Sequence, residues 1–193
     1  VEVWLAREPQ TQAPRVFKLA LDAPHLSSLK REVTLARVLR QTLGERPDFV
    51  PVLDWNFETL PFWIELPWAG CNLVDWAHTQ VGLIALPLER RVELLADIAE
   101  TVAAAHSAGV LHKDLKPANV LIDADSARPR VVDFGCGGRL DLQRLTELNV
   151  TRMGFTREDV GAHSDVGTPL YLAFDVLAGE ALTTAADVYA LGV

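Results

Sequence analysis

Cysteine is almost absent from this chain: Cys71 and Cys136 are the only two among 193 residues. Two such distant thiols build no disulfide framework and lack metal-ligand spacing, so a reducing, cytoplasmic setting is expected. Long apolar runs are lacking as well. None approaches the ~18 uncharged residues that a membrane-crossing helix requires, and no signal peptide opens the chain. Basic excess is missing too, the formal charge being −8. Phosphate-binding surfaces are basic, so nucleic acid is not expected as the main partner. The five histidines are scattered and give no metal site of their own. Internal repeats and low-complexity segments are absent.

What is present describes a folded domain. Apolar residues make up 49% and charged residues 23% of the sequence, enough for a sizeable core. All five tryptophans fall between Trp4 and Trp76, which points to packing in one half. Residues 1–5 alternate weakly and meet the polar turn Arg7-Glu8-Pro9-Gln10. Residues 15–20 follow as a second strand of a hairpin. From Ser28, a good N-cap, Leu29, Val33, Ala36, Leu39 and Leu43 recur at helical spacing. Glu32 lies on the apolar side of that helix. It needs a buried partner, because an unpaired buried charge costs roughly 3–5 kcal/mol, or else it reaches water from the edge of the stripe.

Residues 49–57 and 60–66 read as two further strands, and 73–79 as a short helix. Pro87 begins a long helix with Leu88, Val92, Leu95, Ala99, Val102 and Ala103 on one face and Gly109 as its stop. Residues 120–122 and 130–132 make a hairpin around the turn 123–129. This returns the chain to its start, so Asp133 ends beside Asn119.

Chemistry concentrates in Val110-Leu111-His112-Lys113-Asp114-Leu115-Lys116-Pro117-Ala118-Asn119-Val120-Leu121. Apolar residues frame an Asp, a Lys and an Asn that a core strand could not use. In a loop these three converge on one charged ligand. The Asp can take a proton from an alcohol, the Lys can neutralise phosphate oxygens, and the Asn oxygen can hold Mg²⁺.

This stretch resembles the catalytic loop of eukaryotic-type (Hanks-type) protein kinases, and its Asp-Leu-Lys-Pro-x-Asn wording resembles the serine/threonine branch. Asp133-Phe134-Gly135 resembles the family's metal-binding triplet, and Gly167-Thr168-Pro169-Leu170-Tyr171 the substrate-facing end of its activation segment. The pieces occur in the family's order along nearly the whole chain. Two positions depart from it. Lys113 stands where the family usually has Arg, so phosphate-switched activation does not carry over. Ala173-Phe174-Asp175 stands in place of Ala-Pro-Glu.

The resemblance implies an α+β, bilobal protein-kinase-like fold, with a small β-rich N-lobe over 1–66 and a mainly helical C-lobe over 67–193. The activation segment would run over 133–175. The glycine-rich loop with its first strand and the last helices are not in the sequence, which reads as a fragment truncated at both ends. A membrane anchor elsewhere in a longer parent stays open. The implied reaction moves the γ-phosphoryl group of ATP to Ser or Thr hydroxyls of a protein substrate. Asp114 would act as base, Lys116 would offset charge, and Thr168 would brace both. Asn119 and Asp133 would hold Mg²⁺. Lys18 would grip the ATP phosphates, steadied by an ion pair with Glu32; the bland alternative is a solvated strand lysine. Val16 and Leu121 would line the nucleotide pocket. Ile64 takes the gatekeeper place, and Glu65 and Leu66 supply hinge contacts to adenine. Asp187 would hold the catalytic-loop backbone, the alternative being an ordinary acid at a helix start.

Two other readings remain at this point: a pseudokinase scaffold that keeps the fold for binding, and a kinase-like small-molecule phosphotransferase. Thr168-Pro169 favours protein substrates. The sequence is silent on oligomeric state.

Overall fold

The computed structural model describes residues 1–79, 86–139 and 168–193. Most of the expected activation segment, including Gly167, lies outside the described residues. The chain begins with an antiparallel sheet in the order β1-β2-β4-β3, formed by β1 (Glu2–Arg7), β2 (Pro14–Ala20), β3 (Asp54–Asn56) and β4 (Phe62–Pro67). Lys18 pairs with Ile64 and Val16 with Leu66 across β2 and β4.

Helix α1 (Ala23–Leu43) lies between β2 and β3 in sequence. It starts five residues before the expected Ser28, because the Asp22 carboxylate accepts from the His25 N–H at 2.9 Å and Pro24 fits the first turn. Gly44, at φ 76°, ends it by donating its N–H to the Arg40 carbonyl at 3.0 Å.

The second part comprises β5 (Cys71–Asn72), α2 (Leu73–Thr79), α3 (Leu88–Ser107), β6 (Val110–Leu111), β7 (Val120–Ile122), β8 (Pro129–Val131) and β9 (Gly138–Arg139). Two short helices follow, α4 (Phe174–Leu177) and α5 (Thr184–Leu191). Strands β5, β7 and β8 form one small sheet, and β6 pairs with β9.

Two apolar cores hold these parts, and α1 contributes to both. Leu29 and Val33 pack with Ala20, Ile64 and Leu66 beneath the four-stranded sheet. Leu35, Val38 and Leu39 pack with Leu94, Ile98, Val102 and Ala105 of α3 and with Val120, Ile122 and Val131. The inward face of α3 differs from the expected one. Leu94, Ile98, Thr101, Val102 and Ala105 are buried, whereas Leu88, Val92 and Leu95 are exposed. Alanine and leucine occur on both sides of this helix, so periodicity alone does not choose the face.

Gly70 is where the chain turns from β4 into the lower part. It has φ 113°, and an added Cβ would collide with the backbone carbonyl of Ile122. Gly44 has the same sign of φ but open space around it. Gly70→Ala is therefore expected to lower stability by more than Gly44→Ala, which carries only the ~1–3 kcal/mol backbone strain of φ 76°, ψ −167°. Urea denaturation midpoints check this, and equal shifts for the two would contradict the close approach.

Candidate active site

Two strands and two loops bring the polar side chains together. The β6–β7 connection carries Asp114, Lys116 and Asn119, the last in a 3-10 turn over Pro117–Asn119. The β7–β8 hairpin then returns the chain, and the Val132 N–H donates to the Asn119 carbonyl at 3.0 Å. Asp133 follows at once, in the left-handed region at φ 69°. Such a conformation in a non-glycine residue costs roughly 1–3 kcal/mol and persists only where its surroundings hold it.

Lys18 is the centre of that hold. Its Nζ lies 2.8 and 2.9 Å from the two Glu32 oxygens and 3.0 Å from Asp133 Oδ1. The Lys18 and Glu32 side chains are 11% and 8% exposed, whereas that of Asp133 is 46% exposed. Burial would lower the Lys18 pKa, but the facing carboxylates outweigh it and hold the ammonium above its ordinary range. Burial pushes the Glu32 carboxyl up further than Lys18 pulls it back. For Asp133 burial is opposed by Lys18, and the net direction is down, toward the ionised form.

Asp114 sits in a second cluster. Its Oδ1 accepts from the Thr168 N–H at 2.8 Å and the Thr168 hydroxyl at 2.9 Å. Its Oδ2 accepts from Lys116 Nζ at 2.7 Å and Asn119 Nδ2 at 3.2 Å. Lys116 also donates to Thr168 Oγ1 at 2.7 Å. Burial raises the Asp114 pKa, but the Lys116 and Thr168 hydrogen bonds outweigh it, leaving the group below its ordinary 3.8. Asn119, 6% exposed, commits its amide nitrogen to Asp114, including the Asp114 carbonyl at 2.8 Å. That leaves the Asn119 amide oxygen and the half-exposed Asp133 carboxylate as hard oxygen donors. Mg²⁺ takes one or two such protein oxygens with the rest from water and phosphate. Among the described residues no group of three His, Cys, Asp or Glu could hold a metal by itself.

The backbone of residues 112–113 is fastened from beneath. Asp187 of α5 accepts from the His112 N–H and the Lys113 N–H, both at 2.9 Å, and from His106 Nε2 at 2.8 Å. Lys113 also has positive φ, at 69°. Burial opposes ionisation of Asp187, but these donors outweigh it and hold its carboxyl below 3.8. The His112 ring packs 4.7 Å from Phe134 and donates from Nε2 to the Val132 carbonyl at 2.9 Å.

The remaining expected positions fall as follows. Val16 is half-buried on β2, two residues from Lys18 and on the same side of the strand. Leu121 alternates with the buried Val120 and Ile122 and so faces away from that core. The residues expected at the hinge, Glu65 and Leu66, lie in β4. The Glu65 carbonyl already accepts from the Leu53 N–H at 2.8 Å, and its side chain meets Arg15 Nε at 3.1 Å. Leu66 sits within the β2–β4 ladder opposite Val16 and Ile64 opposite Lys18, both with buried side chains. The ladder closes with the Trp68 N–H on the Pro14 carbonyl at 3.3 Å. By strand alternation the Pro67 carbonyl and the Ala69 N–H are the next backbone groups directed away from β2. Asp175 lies in the first turn of α4, where its carboxylate accepts from the neighbouring Val176 N–H at 3.0 Å. Arg31, which the sequence reading passed over, is 6% exposed and donates from Nη1 to the Gly135 carbonyl at 3.0 Å. Its one sequence signal is the helical spacing of Ser28, Arg31 and Leu35 on one side of α1.

A family model described as the protein kinase domain matches residues 71–193. Serine/threonine-protein kinase PkaB of Streptomyces coelicolor is 39% identical over 103 residues, covering 53% of this chain and 23% of that protein. PknH of Mycobacterium tuberculosis is 29% identical over 163 residues, covering 84% of this chain and 22% of the relative. PknB of Mycobacterium leprae is 29% identical over 201 residues, covering 99% of this chain and 29% of the relative. The chain thus spans less than a third of the length of each.

Removing the Asp187 carboxylate strands two backbone N–H groups, one buried and one partly buried, at ~1–3 kcal/mol each. Asp187→Ala is therefore expected to destabilise the fold by ~2–5 kcal/mol, read by urea denaturation. The Asp187 contribution is present above its ordinary 3.8 and is lost as pH falls through its lower folded value. The difference between wild type and variant should accordingly hold steady from neutral pH down to about pH 4 and shrink only below it.

Proposed function

The chain belongs to the protein kinase family, and from that premise we propose that it transfers the γ-phosphoryl group of ATP to Ser or Thr hydroxyls of protein substrates. One observation carries the reading: Asp114, Lys116 and Thr168 form a single hydrogen-bonded unit, and Asn119 joins it to the segment that bears Asp133 and, through Asp133, Lys18. The named serine/threonine kinase relatives support the same acceptor class. Within this reading residues 1–66 form the N-lobe, 67–193 the C-lobe and 133–175 the activation segment.

Asp114 is ionised throughout the neutral range, so it is a weak base whose main work is orientation. Its two oxygens already accept four hydrogen bonds, about the capacity of a carboxylate. An arriving hydroxyl therefore replaces the longest of them, the 3.2 Å contact from Asn119. Lys116, one bond from Asp114 and one from Thr168, brings positive charge to the transferring group. Lys18 binds the α- and β-phosphates while Glu32 keeps its stem in place. Asn119 and Asp133 hold Mg²⁺ through the oxygens identified above. Magnesium bound there supplies charge neutralisation on the phosphates. Val16, Leu66 and Leu121 line the nucleotide pocket, and the Pro67 carbonyl and Ala69 N–H meet the adenine edge. No helix among the described residues is long and apolar enough to cross a membrane. Phosphorylation in the cytoplasm, with no nucleic-acid partner, is part of the same proposal.

Asp114→Ala in the full-length protein is expected to lower radiolabel transfer from ATP to a protein substrate by ~10²–10⁴. Equal transfer by wild type and variant would remove the enzyme reading and leave a binding scaffold. Transfer to small alcohols or amines but to no protein would point to the small-molecule reading. Asp114 titrates below 3.8, so the kcat/KM profile should show no acid limb from it above about pH 4. An Asp114-dependent limb near pH 6 would contradict the lowered pKa.

A further inference from the structure

Arg31 has no part in the reaction as described, yet its guanidinium is almost fully buried at the edge of the site. A charged side chain is rarely buried without a specific partner. Here one partner is a backbone carbonyl, Gly135 O at 3.0 Å, across 104 positions of sequence. Gly135 belongs to the triplet that carries Asp133, and the triplet's path is shaped to meet α1 closely. A Cβ added at Gly135 would lie 2.5 Å from Ser28 Oγ, and one at Gly137 would lie 2.7 Å from Leu35 Cδ1. Ser28, Arg31 and Leu35 thus form one continuous strip of α1 against residues 135–137, and Glu32, next in sequence, reaches round to Lys18.

Among the described residues, two polar links join α1 to the triplet. One is ionic and runs Glu32–Lys18–Asp133. It uses the same carboxylate that is offered to a cation, and the same ammonium that is offered to phosphates, so ligand binding competes with it. The other runs from Arg31 to a carbonyl that takes no part in the chemistry, so it persists when Lys18 turns to a phosphate. We infer that Arg31 is a positioning residue: it keeps the strained Asp133 segment fixed against α1 once the Lys18–Asp133 contact is given up. This rests on the phosphotransfer reading for its consequence in catalysis, but not for its structural content.

Hydrogen–deuterium exchange of the full-length protein tests the structural content without any activity measurement. Arg31→Met is expected to speed exchange at the Gly135, Cys136 and Gly137 amides about tenfold, the equivalent of ~1.4 kcal/mol. Protection in α3 should stay as in wild type. Arg31→Lys, which keeps the charge and one donating group on a shorter head, should fall between the two. In kinetics, Arg31→Met should lower kcat and raise the Mg²⁺ concentration needed for half-maximal rate, with the KM for ATP within about twofold of wild type, a split that general destabilisation would not give. Wild-type exchange at residues 135–137 in Arg31→Met overturns the inference. If that variant does not fold, unchanged exchange in Arg31→Lys does so. Should the wild type itself transfer no phosphoryl group, the kinase reading falls, while the exchange comparison still decides Arg31.

Discussion

A single ammonium, Lys18 Nζ, ties three pieces of chain at one point: strand β2, helix α1 and the segment after β8. It is buried, so leaving it unpaired would be costly, and two carboxylates compensate it. The balance is deliberately incomplete in charge, with one positive group against two negative ones. Glu32 is shielded and has Lys18 at both oxygens, so the uncompensated charge falls on Asp133, whose side chain is open to solvent. An arrangement of this kind attracts a cation at Asp133 and an anion at Lys18, which is the pair of charges that a magnesium nucleotide presents.

Rigidity around this centre comes from buried carboxylates that stay ionised. Asp187 gathers two backbone N–H groups and His106, and Asp114 gathers Thr168 and Lys116. In both cases burial favours the neutral acid and hydrogen bonds reverse that preference. The two left-handed residues of the site, Lys113 and Asp133, lie beside these anchors. The strain is thus placed where fixed donors and acceptors can sustain it. Helix α1 is the element through which these effects are shared. One side of it enters the core under the four-stranded sheet, another enters the core with α3, and the strip of Ser28, Arg31 and Leu35 borders the Asp133 segment.

Much of the site was legible because its parts are local. Asp114, Lys116 and Asn119 are five residues apart end to end, and a hairpin of a few residues brings Asp133 back beside Asn119. Lys18 and Glu32 were legible as a pair only through the family resemblance, since a strand lysine by itself is uninformative. The expected hinge residues Glu65 and Leu66 turn out to lie inside the β2–β4 ladder, which the apolar alternation of residues 62–67 does not announce because it is the same whether the strand ends at 65 or at 67. The face of α3 was misread because alanine and leucine surround that helix.

The order and kind of the polar groups gathered at the site, the strand-and-helix succession and the lack of a long apolar helix among the described residues were legible in the sequence, because each depends on residues near one another in the chain. Tertiary structure alone decided which backbone groups the ladders leave over, which side of α3 is covered, and where the Arg31 guanidinium goes. These outcomes depend on pairings across long sequence separations, as between Arg31 and Gly135, where the partner is a carbonyl that every residue type carries and no pattern of side chains can announce.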